Sequence, residues 1–214
     1  MDVNNTQQEL AARLSLIETM IAEGRQKTES WGWTFVLWGL AYAGAIIFAN
    51  LGTPVGEWTT WGHHTLAWPI CILSAFVVMF VYIMLTGRKS ASQPDTTLGR
   101  AVFSLWIALG ISMFLLLQAL GSSGKLDQHI FVAVVASLLG MTNAASSLML
   151  KWRLQFACAV IWWATAVSAC FVTVGQSTII FLIAIFLCQI VFGVYGMISE
   201  ARQIHAGASG AAHA

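Results

Sequence analysis

Two short polar stretches of the sequence carry the residue types that bind metal ions. Glu57, His63 and His64 precede one long apolar segment, and Asp127 and His129 precede another. Imidazole and carboxylate groups from separate helices can bind zinc or copper, and a pair such as His64 and His129 could be the axial ligands of a haem. The spacing matches no metal-ligand motif, and polar residues are also expected at the headgroup level of a membrane. A metal or haem site is therefore one hypothesis, and ordinary interfacial residues are the alternative.

Three amide side chains fall inside long apolar segments, namely Gln118, Asn143 and Gln189. Small residues recur around Asn143 at spacings of three and four: Ser137, Gly140, Ala144 and Ser147. In a membrane, small residues let helix backbones approach, and amide side chains hydrogen-bond across the interface. The pattern favours helix packing. The alternative is that these amides line a polar cavity.

Ionisable residues are missing from the apolar segments, because no Asp, Glu, Lys, Arg or His lies well inside any of them. Proton relays, ion-coupled carriers and voltage sensors need such groups at membrane depth, and intramembrane proteases need a catalytic pair or a metal. The four cysteines lie in apolar runs without a Cys-x-x-Cys pair, which is typical of small core residues. The net charge of +1 offers no basic field for nucleic acid. The sequence favours a non-enzymatic protein with no cofactor and no nucleic-acid partner.

Six apolar segments are long enough to cross a bilayer, which takes about 20 residues. The chain is 58% hydrophobic and 9% charged, whereas a soluble domain carries roughly a quarter charged residues. We predict an all-α polytopic membrane protein whose six transmembrane helices form three antiparallel hairpins. Gly175 to Thr178 should separate the last two spans, and residues 87–100 should form a flexible loop. The predicted spans cover about 31–50, 65–86, 101–121, 129–150, 154–174 and 179–198.

The orientation of these spans follows from the positive charges. Nine of the ten lysines and arginines fall on one side of the six-span arrangement, and only Lys125 falls on the other. Positive residues stay in the cytoplasm, so both termini are expected there, in the inner (plasma) membrane of a bacterium. Residues 199–214 are rich in small residues and are predicted to be a disordered cytoplasmic tail.

Residues 1–30 are polar and predict a cytoplasmic amphipathic helix. Thr6 and Glu9 match a capping box, and Gly24 should end or weaken the helix. Apolar residues recur at helical spacing and form one stripe. The pattern favours a helix on the membrane surface or against the ends of the bundle; the alternative is a short helix for dimerisation or for docking a partner. The stripe consists of Leu10, Leu14, Ile17 and Ile21.

Two runs of residues carry a resemblance to known proteins. One extends from Glu29 to Gly39 and reads ESWGWTFVLWG, and the other is KWRLQF from Lys151 to Phe156, followed by Trp162 and Trp163. In these runs the chain resembles small six-pass inner-membrane proteins of bacteria whose function is uncharacterised. The likeness covers the cytoplasmic helix with the first span and the junction of the fourth and fifth spans. It implies no catalytic residues.

Three functions agree with these features. The first is a membrane scaffold, accessory or regulatory protein that binds itself, another membrane protein or lipid through the Leu10–Ile21 stripe. The second is a passive channel or carrier for a neutral or apolar solute, with Asn143, Gln189 and Gln118 on its path. The third is a haem- or metal-binding redox protein that uses the histidines. The uncharged interior and the single amphipathic helix favour the first.

Overall fold

The computed structural model describes residues 3–29, 32–64, 66–90 and 97–211. The described residues are 86% helical and contain no β-strand, so the all-α prediction is confirmed. A 3-10 turn covers Val55–Glu57, and a π-helical segment, Phe186–Val191, joins the last two helices without a break. The eight helices of the described residues are α1 (Val3–Glu29), α2 (Gly32–Ala49), α3 (Ala67–Ser90), α4 (Thr97–Ser122), α5 (Gln128–Leu150), α6 (Arg153–Ala169), α7 (Val174–Ile185) and α8 (Phe192–Ala211).

Four stretches among the described residues are long and apolar enough to cross a membrane. They are α2, most of α4, α5 and the continuous run Val174–Arg202, which joins α7 to α8. A shorter apolar stretch, Ala67–Tyr82, lies in α3, and α6 has 17 residues. Large apolar side chains such as Phe171 and Leu85 are exposed on the outside of the bundle, as lipid-facing side chains are. These features indicate insertion in a membrane, while the count of six spans stays a prediction.

Helix α5 lies at the centre of the bundle. It makes the most extensive helix contact of the structure with α6, and it also packs on α4 and α7. In its most apolar part 61% of the residues are buried, against 11% in α4, so α4 lies at the edge. Trp162 of α6 is the largest fully buried side chain, and it packs on Phe181 of α7 with ring centroids 5.8 Å apart. The core therefore forms where α5, α6 and α7 meet.

Local hydrogen bonds fix both ends of α5. The Asp127 carboxylate accepts a 2.8 Å bond from the Ile130 N–H and caps the N-terminus. At the other end Lys151 is left-handed, with φ 50°, and the Trp152 N–H donates to the Ser147 carbonyl at 3.0 Å. The Ser147 hydroxyl donates in turn to the Trp152 carbonyl at 2.9 Å. These bonds reverse the chain within two residues and bring α6 alongside α5.

The break between the last two predicted spans lies earlier than the sequence indicated. Helix α6 ends at Ala169 and α7 begins at Val174, so Gly175 to Thr178 form the first turn of α7 and not a connection. The reason is a capping box at Thr173, whose side chain accepts from the backbone of Gln176 while the Gln176 amide oxygen accepts from the Thr173 N–H. The prediction weighed the glycine and polar residues as breakers and missed this cap.

Other helix ends also extend beyond their predicted limits. Helix α1 begins at Val3, ahead of Thr6, and continues through Gly24 to Glu29, so Thr6 does not cap it. Helix α8 continues to Ala211, which places most of the predicted disordered tail in a helix, because alanine-rich sequence favours helix. Within the predicted 87–100 loop, residues 87–90 and 97–100 are helical, and residues 91–96 lie outside the described part of the chain.

Candidate functional site

Three of the four residues of the apolar stripe of α1 are not covered by the rest of the chain, and the fourth, Ile21, is partly buried. Leu10, Leu14 and Ile17 are 56%, 60% and 52% exposed. All residues from Gln7 to Thr19 are exposed, and burial begins only at Met20 and Ile21. Because α1 contacts α4, α5 and α8, its second half is attached to the bundle and its first half extends from it. The structure therefore agrees with two of the predicted roles of the stripe, binding to the membrane surface and binding to a partner.

The charges beside the stripe bear on which of these it binds. Between Gln7 and Ala22 the only charged residues are Glu9, Arg13 and Glu18, and Arg13 pairs with Glu9 at 2.6 Å on the exposed helix surface. Helices that bind a membrane surface carry many lysines and arginines on their polar face. This segment has one positive and two negative side chains. The charge pattern therefore favours a protein partner for the stripe over anionic lipid.

Gln128, the first residue of α5, joins three parts of the chain. Its amide oxygen accepts bonds from the Thr60 N–H, at 2.7 Å, and from the Thr60 hydroxyl. Its amide nitrogen donates to the Thr178 hydroxyl of α7 at 2.6 Å. Trp68 of α3 donates to the Thr60 carbonyl at 2.6 Å. The sequence analysis missed Gln128, because its partners Thr60 and Thr178 are distant in the sequence.

The histidines and acids near these loops each have separate surroundings. The His64 ring stacks on Phe48 with centroids 5.5 Å apart, and Nδ1 of His129 lies 2.7 Å from the Ala169 carbonyl oxygen. His63 is exposed, with its backbone N–H on the Ala49 carbonyl, as is Glu57. Asp127 caps α5. Within the described ranges, no group of three His, Cys, Asp or Glu side chains could hold a metal ion, so the structure does not bring these five residues together.

The three amides singled out in the apolar segments occupy different environments. Asn143 is buried, and its amide nitrogen donates to the Leu139 carbonyl of its own helix at 2.8 Å. Gln189 is buried in the π-helical segment, where a Cβ on Gly39 of α2 would lie 2.9 Å from the Gln189 Cβ. Gln118 is exposed on α4. Gln118 thus points away from the interior that holds the other two.

Several buried polar atoms have no hydrogen-bond partner among the residues that the structure describes. The most extreme is Gln155 of α6, which is fully buried and whose amide nitrogen and oxygen both lack a partner. An unsatisfied buried group costs about 1–3 kcal/mol. The sequence analysis quoted Gln155 only within KWRLQF and assigned it no role. The other such atoms are Asn143 Oδ1, Ser146 Oγ and Ser177 Oγ.

A shallow groove of about 210 Å³ lies between α2 and α3. Its lining is mostly aliphatic, and its one hydroxyl, on Ser74, donates to the Cys71 carbonyl of the same helix at 2.8 Å. Such a surface suits an acyl chain and offers no converging polar groups for a polar substrate. The groove agrees with lipid contact along this side of the bundle.

Comparisons of the chain with protein families, with curated proteins and with solved structures found no match. The candidate site is therefore defined by its own geometry: an exposed apolar stripe on a helix whose second half is attached to a membrane bundle.

Proposed function

We propose that this protein is a membrane scaffold or accessory subunit that acts by binding another protein through α1. The observation that carries the proposal is the exposure of Leu10, Leu14 and Ile17 on a helix attached to the bundle by its second half. Exposed apolar side chains in water cost free energy that association recovers, at about 25 cal/mol per Å² of buried apolar surface. The bundle leaves most of this stripe uncovered, and the helix segment that carries it lacks the basic polar face of a membrane-surface helix. The stripe is therefore suited to binding a protein partner.

The interior of the bundle supports a role in association over one in chemistry. Its centre is filled by aromatic and aliphatic side chains such as Phe131, Trp162 and Phe181. The polar residues that join its parts, Gln128 with Thr60 and Thr178, use their hydrogen bonds on each other. The predicted spans contain no charged residue away from their ends. Among the described residues, none of the buried side chains is an Asp, Glu, Lys, Arg or His, the types that transfer a proton or an ion at membrane depth.

The proposed membrane arrangement has six spans with both termini in the cytoplasm of a bacterium. It is supported by the four membrane-length apolar stretches among the described residues, together with the shorter Ala67–Tyr82, and by the nine-to-one distribution of the ten positive charges. In this arrangement α1 lies in the cytoplasm, so its partner binds at the cytoplasmic face of the membrane.

Deletion of residues 1–19 is expected to abolish assembly without unfolding the bundle. The deletion removes the exposed half of α1 and keeps Met20 to Glu29, which continue into the bundle. Assembly is measured as the size of the protein in mild detergent extracts of its own membrane. The finer variant is Leu14→Asp, with Ala12→Asp as its matched control on the opposite side of the same helix. If the deletion and Leu14→Asp leave the size unchanged, the proposed function is wrong.

The six-span arrangement predicts which turns can be labelled from outside the cell. In a background with the exposed Cys170 replaced by alanine, Lys125→Cys should react with a membrane-impermeant maleimide in intact cells. Lys151→Cys should react only after the membrane is permeabilised. Both lysines are exposed and lie in short connections, so the two variants control for each other. Equal labelling of both in intact cells would rule out this arrangement.

A further inference from the structure

We propose that the partner of α1 is the α1 of a second copy of this chain, and that the two helices pair in parallel as a short two-stranded coiled coil. Arg13 of each copy then faces Glu18 of the other. The inference rests on the proposed function and adds to it the identity, direction and register of the partner.

The spacing of the stripe gives the register. Leu10, Leu14, Ile17 and Ile21 are separated by four, three and four residues, which is the spacing of alternating d and a positions in a heptad. These four side chains form a single narrow seam of the kind that two helices bury between them. Away from the seam the helix carries one large apolar side chain, the exposed Leu16 at position c. Its neighbours there are small or polar, and the hydroxyls of Ser15 and Thr19 donate to carbonyls three and four residues back in their own helix, at 2.8 Å each.

The charged residues beside the seam favour a parallel pair of identical helices. With Leu14 at position a, Arg13 takes position g and Glu18 takes position e of the next heptad. In a parallel coiled coil a g residue faces the e residue that follows it by five positions on the other helix, and Glu18 is that residue. Two-fold symmetry forms the pair twice. In an antiparallel pair g faces g and e faces e, so Arg13 and Glu18 would not meet.

The pairing that Arg13 makes within its own chain does not prevent this arrangement. Its bond to Glu9 lies on the surface, where the two side chains are 72% and 64% exposed. Exposed ion pairs of this kind contribute little free energy, so the guanidinium can pass to Glu18 of a second copy or bridge both carboxylates. Glu18 itself has no ion-pair partner among the described residues.

Attachment to the bundle compensates for the low stability of a coiled coil of about two heptads. A coiled coil this short is weak between free peptides. Here α1 contacts α4, α5 and α8, so its direction is set by the bundle. Two copies in one membrane present their α1 helices from the same face and at a high effective concentration. Membrane embedding therefore favours the parallel pair that the charges also favour.

Cysteine cross-linking of the full chain in its own membrane tests the seam. With the native cysteines Cys71, Cys158, Cys170 and Cys188 replaced by alanine, Leu14→Cys should form a disulfide-linked dimer under mild oxidation, because a positions of two parallel helices meet. Ala12→Cys is the matched control, since Ala12 lies on the far side of the helix and should remain monomeric. Equal cross-linking of both variants, or none at Leu14→Cys, would overturn the proposal.

A charge exchange tests the register independently. Arg13→Glu should weaken dimerisation about tenfold by placing carboxylates together across the seam, and adding Glu18→Arg should restore most of it. Residues five apart do not face each other on one helix, so rescue reports contact between copies. Absence of rescue contradicts the Arg13–Glu18 pair. If the 1–19 deletion still abolishes an assembly that contains a different protein, the second copy is wrong while the proposed function holds.

Discussion

Replacement of Gly193 by leucine is expected to prevent the bundle from folding, and replacement by alanine to weaken it by about 1–3 kcal/mol. Gly193 of α8 lies against the start of α2. A Cβ at this position would lie 2.6 Å from the Gly32 carbonyl oxygen and 3.0 Å from the Val36 backbone nitrogen. Both atoms belong to the backbone, so relief requires the two helices to separate. Small residues permit such close approach in membranes.

Gly110 offers the matched control for this substitution. It lies on α4, where a Cβ would meet no atom within 4 Å. Gly110→Ala should leave thermal stability unchanged or raise it slightly, because alanine favours helix over glycine by about 0.5–1 kcal/mol. The measurement is the apparent unfolding temperature of each variant in the same detergent. An unaltered unfolding temperature for Gly193→Ala would show that α2 and α8 are not in the close contact described.

Substitution of Gln128 by methionine is expected to destabilise the protein strongly, whereas the same substitution at Gln155 should stabilise it. Methionine has nearly the same length as glutamine and no amide. At position 128 it leaves the Thr60 N–H and the Thr60 hydroxyl without the acceptor they have now. Each buried group left unpaired costs about 1–3 kcal/mol, so the loss should be about 2–5 kcal/mol.

The opposite sign at Gln155 follows from the same physical argument. Its amide is fully buried, and neither amide atom has a partner in the part of the chain that the structure describes. Replacing Gln155 with an apolar side chain of similar shape removes the desolvation cost of the unpaired amide, about 1–3 kcal/mol. Gln155→Met should raise the unfolding temperature by several degrees, measured beside Gln128→Met. A lower unfolding temperature for Gln155→Met would mean that its amide is bonded in the native protein.

Much of the helical content could be predicted from composition and periodicity. Long apolar runs must satisfy their backbone within helices in a membrane, so their approximate positions follow from hydropathy alone. Helix ends could not be predicted as well, because they depend on a few local bonds. The Thr173–Gln176 capping box moved the start of α7 ahead of Gly175, and the alanine-rich end of the chain extended α8 to Ala211.

The contents of the bundle interior were harder to predict for a physical reason. A helix that is apolar all round carries no stripe to show which face is inside. The sequence therefore could not distinguish Gln118, which is exposed, from Asn143 and Gln189, which are buried. Nor could it identify Gln128 and Gln155, whose burial depends on how helices meet at their ends. The α1 stripe could be seen in the sequence because polar residues surround it on its helix.

Native mass spectrometry of the full-length protein, extracted gently from its own membrane, tests the central claim that the protein acts by association through α1. The account predicts a complex of two chains, twice the 23.2 kDa mass of one, and its conversion to single chains by Leu14→Asp but not by Ala12→Asp. A complex with a different protein would keep the proposed function and reject the second copy as partner. Single chains alone, unaffected by either substitution, would contradict the account.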